Sequence, residues 1–172
     1  MDNLETLQSD ALRNSTITYV HFPKLKQVGT NAMSYSGITG DWSFLEGVES
    51  IQSQCFRACK LPETINLKEL TSFAMIYAGS PFLETSVKHL QFPKLQSYGN
   101  RLLSNNNSSC VAVETLVCGS AGFPVTYIDG GAFYNGNLGS LTSITVYCED
   151  PNNPPAGSPW GATNATVTFL KA

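Results

Sequence analysis

Five cysteines give this chain its widest chemical range, because a thiolate can bind a metal, form a disulfide or attack a substrate. Cys55 and Cys59 lie four residues apart, a spacing that a zinc site tolerates. Such a site needs a second pair of ligands, and the remaining cysteines, Cys110, Cys118 and Cys148, offer no pair at a suitable spacing. The sequence therefore predicts no metal site and no cofactor.

The positions of the cysteines favour a structural role. Cys55, Cys118 and Cys148 continue rows of apolar residues in repeated segments, so we expect them to be small buried side chains. Cys110 follows the polar segment 104–109 and is expected to be exposed. A disulfide between Cys118 and Cys148 stays open, since neighbouring strands lie ~4.8 Å apart but the two side chains must also converge.

The two histidines, His21 and His89, do not form a catalytic or metal-binding group in the sequence. Each alternates with apolar neighbours, Val20 or Leu90, and is therefore expected to point outward from a strand. No Asp or Glu occupies the matching positions of the other strands. We interpret both histidines as surface residues that are available as binding contacts.

A six-residue pattern recurs about every 23 residues and organises the whole chain. It consists of an apolar residue, three mostly small or polar residues, and two mostly apolar residues. Residues 51–56 and 128–133 are the best copies. A fixed period in this range predicts a solenoid, in which equivalent residues stack. The first residues of the six copies are Leu7, Val28, Ile51, Phe73, Tyr98 and Ile128.

A second pattern, apolar-x-apolar, runs in phase with the first. Residues 20–25 and 90–95 match in residue type at every position, and residues 65–70, 116–118 and 144–146 supply further copies. This alternation predicts a short, half-buried strand. Each unit is thus interpreted as a strand, a turn, a buried apolar residue and an irregular or short helical return. One unit cannot bury its own apolar face, whereas stacked units can.

These residues resemble the bacterial leucine-rich repeats of BspA-like surface antigens, whose repeat has an Ile-Gly-x-x-Ala-Phe core that often precedes a cysteine. Ile51 to Phe56 with Cys59, and Ile128 to Phe133, carry the resemblance. The segment from Leu141 through Trp160 to Val167 is similar to terminal repeats of such proteins and of phage-like structural proteins. The resemblance implies an α/β repeat: a right-handed leucine-rich-repeat solenoid with short parallel strands. It further implies adhesion or protein binding outside the cell, and no catalytic residue.

The two ends of the chain are expected to differ. Residues 1–148 form the predicted solenoid of about six units, and residues 149–172, which begin with a proline-rich break and end in an alternating strand, form a predicted C-terminal cap. Leu4 and Leu7 already belong to the first unit, and no polar capping segment precedes them. We therefore expect either further repeats before Met1 or an end-to-end contact between copies through the uncapped N-terminal repeat.

The amino-acid composition limits the classes of partner and the location that we expect for this chain. The net charge of −3 provides no basic patch, so nucleic acid is not an expected partner. No apolar run is long enough to span a membrane. Only 13% of the residues are charged, while Ser, Thr and Asn are abundant. We interpret the chain as part of a larger exported protein that is extracellular or at the cell surface.

The outward residues of the strands form the predicted binding face. If Leu45 aligns with Phe22, Trp42 and Phe44 point outward in an aromatic cluster of the kind that marks interaction sites. A one-residue shift or bulge would instead bury both rings and expose Ser43. Both alternatives stay open. The predicted contact residues are Tyr19, His21, Trp42, Phe44, His89, Gln91 and Tyr147.

The sequence thus predicts a non-enzymatic binding or adhesion module that presents a curved sheet face to a protein or glycan. The alternative is a structural spacer or tail component in a phage-like or envelope assembly. An enzyme is the least supported reading, because no acid/base pair or nucleophile recurs at a convergent position.

Overall fold

Short parallel strands dominate this computed structural model, which describes residues 1–74, 79–103, 112–134 and 140–172. Every pairing between named strands is parallel. The only helix within the described ranges is a 3-10 helix, Ser43–Gly47. The strands are β1 (Thr6–Leu7), β2 (Gln27–Val28), β3 (Ser50–Gln52), β4 (Thr64–Asn66), β5 (Ser72–Ala74), β6 (His89–Phe92), β7 (Ser97–Tyr98), β8 (Thr115–Cys118), β9 (Tyr127–Ile128), β10 (Ser143–Cys148) and β11 (Thr166–Lys171).

The first predicted pattern forms one side of the solenoid. Its sheets have the orders β1-β2-β3-β5 and β7-β9. The registers pair Leu7 with Val28, Val28 with Ile51, and Ile51 with Phe73. Tyr98 likewise pairs with Ile128. The predicted stacking of equivalent residues is therefore confirmed.

The second predicted pattern forms a five-stranded sheet with the order β11-β10-β8-β6-β4. Its inward residues Ile65, Leu90, Leu116 and Ile144 align across four strands and are each at most 4% exposed. The alternation of the sequence places them there, because successive residues of a strand point to opposite faces. The solenoid of short parallel strands predicted from the sequence is confirmed.

The returns between strands are turns, so the irregular form of the predicted return is the one observed. Asp10, Asn31 and Arg101, each three residues after a stacked lead residue, have φ values of 60°, 55° and 64°. This left-handed conformation costs roughly 1–2 kcal/mol for a residue with a side chain. Each of the three donates its backbone N–H to a carbonyl of the next turn, at 3.0, 3.1 and 3.2 Å. These hydrogen bonds between neighbouring turns therefore offset the conformational energy of the left-handed residues.

Aromatic rings form a continuous row through the core. Nine ring contacts, with centroids 5.6–6.3 Å apart, connect ten rings, and most pairs meet edge to face. Edge-to-face geometry is favourable because the ring edge is positive and the ring face negative. In order of contact the rings are Phe22, Phe44, Trp42, Phe56, Phe82, Phe92, Tyr98, Phe133, Trp160 and Phe169.

The strand predicted at Val20-His21-Phe22 is wrong, although its alternation is right. Val20 and Phe22 are buried and His21 is exposed, but the segment belongs to no strand. The reason lies in the next turn, where Oδ1 and Oδ2 of Asp41 accept hydrogen bonds from the N–H and hydroxyl of Ser43 at 2.8 and 2.7 Å. These bonds lead the chain into the 3-10 helix, so no extended partner runs beside residues 20–22.

The predicted C-terminal strand is observed as β11. It pairs with β10 over six residues, from Ser143 with Thr166 to Cys148 with Lys171, and so adds one more rung to the sheet. Trp160, fully buried, connects Phe133 to Phe169 in the aromatic row. Assignment of residues 149–172 as a cap stays a prediction.

Ion pairs join neighbouring turns on the surface. Lys26 pairs with Glu49 at 2.6 Å, and Lys94 with Glu69 at 2.6 Å. Arg57 Nη2 contacts Glu84 at 2.6 Å. The side-chain hydrogen bond from Lys94 lowers the pKa of Glu69, and that from Arg57 lowers the pKa of Glu84. These carboxylates contribute more stability when ionised.

Replacing one ring of the aromatic row should be far more costly than replacing an exposed ring. We expect Phe92→Ala, at a fully buried position, to lower the free energy of unfolding by about 3–5 kcal/mol because it opens a cavity. Phe123→Ala, at a position 40% exposed, is the matched control and should cost less than about 1 kcal/mol. Urea denaturation measures both, and equal losses would contradict the described core.

The ion pairs predict a loss of stability in acid. Glu69 has a lowered folded-state pKa, so its contribution is present above the unfolded-state pKa of about 4.3 and is lost as the pH falls through the folded-state value. Lys94→Met should therefore flatten the dependence of unfolding free energy on pH below about pH 5. Lys24→Met is the control, since Nζ of Lys24 bonds to the amide oxygen of Asn3 at 2.8 Å. An unchanged slope in Lys94→Met would contradict the coupling.

Candidate functional site

The four cysteines within the described ranges are buried free thiols. Cys55 and Cys118 are 0% exposed, and Cys148 and Cys59 are 2% and 3% exposed. Cys118 and Cys148 are not bridged. Burial raises the pKa of the Cys118 thiol to about 12 and also raises the pKa of Cys55 and Cys59, so these groups are protonated and unreactive at neutral pH. Cys110, predicted to be exposed, lies outside the described residues.

The two histidines contact polar groups in separate parts of the fold. Nδ1 of His89 is 2.9 Å from Oγ1 of Thr115 on the neighbouring strand. Nε2 of His21 is 3.9 Å from Oδ1 of Asp2, and both side chains are largely exposed. Among the described residues, no group of three His, Cys, Asp or Glu side chains could hold a metal ion. Within those same ranges, no helix is long and apolar enough to cross a membrane.

The outward side chains of β4, β6, β8, β10 and β11 form a surface that we call the outer face. The parallel register arranges them in two columns across the five strands. Nearly all carry a hydroxyl, amide or imidazole group, and all are at least partly exposed. The first column is Thr64, His89, Thr115, Ser143 and Thr166, and the second is Asn66, Gln91, Val117, Thr145 and Thr168.

Three residues of the predicted binding face lie on this surface. His89 and Gln91 occupy adjacent columns of β6, and Tyr147 extends β10 beside Leu170, which is 38% exposed. Tyr19 and His21 lie in the turn at the other end of the solenoid. Tyr19 is 64% exposed, and Gly40 leaves room for its ring, because a Cβ at that glycine would lie 3.0 Å from Cδ2 of Tyr19.

The outward placement of Trp42 and Phe44 is wrong. Trp42 is only 6% exposed and contacts Phe56 in the aromatic row, while Phe44 is half-buried against Phe22. Ser43 is exposed, as the alternative with a local shift predicted. The physical reason is the 3-10 helix, which ends the period-two alternation that an outward assignment assumed.

The 3-10 helix creates a pocket on each of its two sides. One, with a volume of about 210 Å³, lies toward the N-terminal turn and is lined by His21 and Phe44 among others. The second, of about 200 Å³, lies toward β4 and is lined by Trp42 and Asn66 among others. Asp41 and Ser43 line both. Hydrogen bonds from Ser43 lower the pKa of Asp41, so a carboxylate stands between the pockets.

The sequence did not identify Asp41 or Asn66 as candidate binding residues. A signal for Asp41 existed, because an Asp two residues before a Ser and directly after a Gly is typical of a turn in which the carboxylate binds nearby backbone. Asn66 carried no such signal. It lines a pocket because the 3-10 helix of another turn lies next to β4.

Burial of both tryptophans predicts the fluorescence of the native chain. Trp42 and Trp160 are 6% and 0% exposed, so we expect blue-shifted emission that iodide quenches weakly. The chain unfolded in guanidinium should give red-shifted, strongly quenched emission and serves as the reference. A second, readily quenched component in the folded chain would show that Trp42 points outward after all.

Comparison with known proteins identifies the repeat. The family model described as the BspA type leucine rich repeat region, with six copies, matches residues 1–110 and 41–149. Six copies agree with the six lead residues predicted from the sequence. No curated protein and no solved structure matches the chain.

The matched family has general properties that concern function and location. Leucine-rich repeats of this family are generally non-enzymatic and mediate protein binding, and BspA-like proteins are typically exported or at the cell surface. The matched segments together span more than half of the chain, and the stacked lead residues provide the geometry that the repeat requires. The chain belongs to the BspA-type leucine-rich repeat family.

Proposed function

We propose that this chain is the binding module of an exported or cell-surface bacterial protein, and that the outer face and the two pockets beside the 3-10 helix contact a protein or glycan. The observation that carries the proposal is the pair of in-register columns across five strands. The inward residues of these strands pack in the buried core, so the outward side chains are held at a fixed spacing. A preorganised surface of this kind loses little freedom when it binds.

The chemistry of the outer face favours a neutral polar ligand. Its columns contain mainly hydroxyl and amide groups, which both donate and accept hydrogen bonds. The charged residues of these turns lie just before the strands, where Lys88 contacts Glu63 at 2.5 Å and Glu114 at 3.9 Å. These charges largely satisfy one another. The outer face therefore offers no single strong charge to steer a highly charged partner.

The contact residues that we propose are Tyr19, His21, His89, Gln91 and Tyr147. Tyrosine is favoured at binding surfaces because it combines a large apolar ring with a polar hydroxyl. Phe44 contributes one wall of the pocket next to His21. Trp42 is buried and is therefore not proposed as a contact; it packs against Phe56 and lines the pocket toward β4.

Binding can be tested on an oligosaccharide array and on immobilised collagen and laminin. For a ligand that binds, we expect Tyr19→Ser with Tyr147→Ser to weaken affinity at least about tenfold, because each truncation of an anchor typically costs more than about 1 kcal/mol. Tyr127→Ser with Tyr134→Ser is the matched control, since these tyrosines are 53% and 54% exposed and lie outside the outer face.

An equal loss of affinity in both double variants would contradict the proposed location of the contact. Binding to none of the probes would contradict the proposed function in its tested forms and favour the structural-spacer alternative. Thermal unfolding of each variant shows whether a loss of binding arises from a loss of fold.

A further inference from the structure

The last strand of the five-stranded sheet, β11, has one open edge. It pairs with β10, and no other described strand lies beyond it in the order β11-β10-β8-β6-β4. At six residues it is also long, whereas the other strands that end a described sheet, β1, β4, β5, β7 and β9, have two or three residues. The outer edge of β11 is therefore the longest open strand edge in the described part of the chain.

The hydrogen bonds to β10 show which main-chain groups of β11 face the open edge. The N–H of Thr166 donates to the oxygen of Thr142 at 2.9 Å, and the N–H of Ala172 donates to the oxygen of Cys148 at 3.0 Å. Main-chain groups of successive strand residues point to opposite sides, so the two even-numbered residues between them also face β10. The residues whose N–H and C=O groups face the open edge are Val167, Phe169 and Lys171.

This edge carries few of the features that keep a strand edge unpaired. Natural edges are usually protected by short length, charged side chains, proline or a bulge. Val167 and Phe169 are apolar, half-buried and in regular register with β10. Leu170, on the outward side, is 38% exposed. Lys171, at the end of the strand, is its one charged residue. The edge is therefore suited to pairing with another extended strand.

The order of residues in β11 makes the strand complementary to itself. In an antiparallel pair with a two-fold axis at Thr168, Val167 lies opposite the partner's Phe169, and Phe169 lies opposite the partner's Val167. All four residues have their main-chain groups at the open edge, so both pairs can exchange hydrogen bonds. An aromatic residue opposite a β-branched residue is a favourable cross-strand pair. A slip of one residue would place main-chain groups that face β10 opposite groups that face the open edge.

Electrostatics also permit a second copy as the occupant. Residues 166–170 contain no charged side chain, so two copies of this segment do not repel each other. The same property gives a partner of opposite charge nothing to recognise. A second copy supplies both the matching main-chain spacing and the apolar residues that the half-buried Val167 and Phe169 require.

We propose that β11 joins two copies of this chain as antiparallel partners about a two-fold axis at Thr168, so that two five-stranded sheets become one continuous sheet. Opposite residues of a sheet point to the same face, so both outer faces lie on the same side of the dimer. A ligand with repeated epitopes can then engage both copies, which raises the apparent affinity without a new contact. Residues 149–172 would connect copies rather than only close the solenoid. The dimer does not depend on the identity of the ligand.

A cysteine at the two-fold axis tests the register directly. Thr168 is exposed, and its Cα would lie about 4.5 Å from that of the partner's Thr168, which is within the range of disulfides. We expect Thr168→Cys to form a covalent dimer under mild oxidation, as measured by non-reducing electrophoresis and mass spectrometry of the linked peptide. Thr166→Cys is the matched control, because it is the same change at an exposed residue of the same face. Its two copies would lie roughly 13 Å apart and should not cross-link.

The unmodified chain tests the dimer without any substitution. Because the contact is one strand wide, we expect a weak dimer with a Kd of roughly 10–100 µM in analytical ultracentrifugation. The amides of Val167 and Phe169 should exchange with deuterium more slowly as the concentration rises. Those of Thr168 and Leu170, which face β10, should be protected at every concentration and serve as the internal control.

Proline at the open edge should weaken the dimer and leave the sheet intact. Val167→Pro removes an N–H that points away from β10, a position at which edge strands tolerate proline. We expect the Kd to rise at least tenfold, and thermal unfolding shows whether the variant keeps its fold. If it does not, cross-linking of Thr168→Cys and sedimentation of the unmodified chain still decide the result.

Three results would overturn the proposal. The first is a monomer at 500 µM whose Phe169 amide exchanges freely, which would leave the edge to an extended segment of a different protein. The second is equal cross-linking of Thr166→Cys and Thr168→Cys, or of the unmodified chain through its own cysteines, which would indicate random collision. The third is a dimer that folded Val167→Pro retains with unchanged Kd, which would place the contact elsewhere, such as at the N-terminal repeat.

Discussion

The shared interior is the constraint on which the rest of this solenoid depends, because each turn has an apolar side that only its neighbour covers. The aromatic row shows this most directly. Phe56 contacts Phe82, Phe82 contacts Phe92, and the row continues turn by turn to Phe169. Four of its nine contacts, such as that of Phe56 with Phe82, join rings at least 22 residues apart and so connect different turns. Removing one of these contacts therefore exposes surface on two turns at once.

Backbone hydrogen bonds run along the same axis as the packing. The N–H groups of Leu12, Met33 and Phe56 donate to carbonyls of the following turn at 2.7, 2.9 and 3.0 Å. The left-handed corners precede these residues and orient them inward. Because packing, strand pairing and corner hydrogen bonds all connect adjacent turns, the chain needs no long helix to hold its shape. Surface ion pairs such as Lys26 with Glu49 follow the same turn-to-turn direction.

Function in such an array is expected where the repetition is broken. Most turns present similar polar columns, and a ligand would distinguish them poorly. The 3-10 helix at Ser43–Gly47 replaces a strand and opens a pocket on each side of it. Asp41, held by Ser43, stands between the two pockets as an ionised group. This irregular turn therefore combines two pockets with an ionised carboxylate between them.

The sequence alone determined the repeat, the parallel stacking of Leu7, Val28 and Ile51, and the inward or outward side of most strand residues. It could do so because alternation and the period of about 23 residues are properties of neighbouring positions along the chain. Only the tertiary structure decided that Trp42 is buried and that Trp42 and Asn66 line the same pocket. The hydrogen bonds of Asp41 end the alternation there, and the pocket forms because separate turns pack side by side. No local pattern encodes such packing.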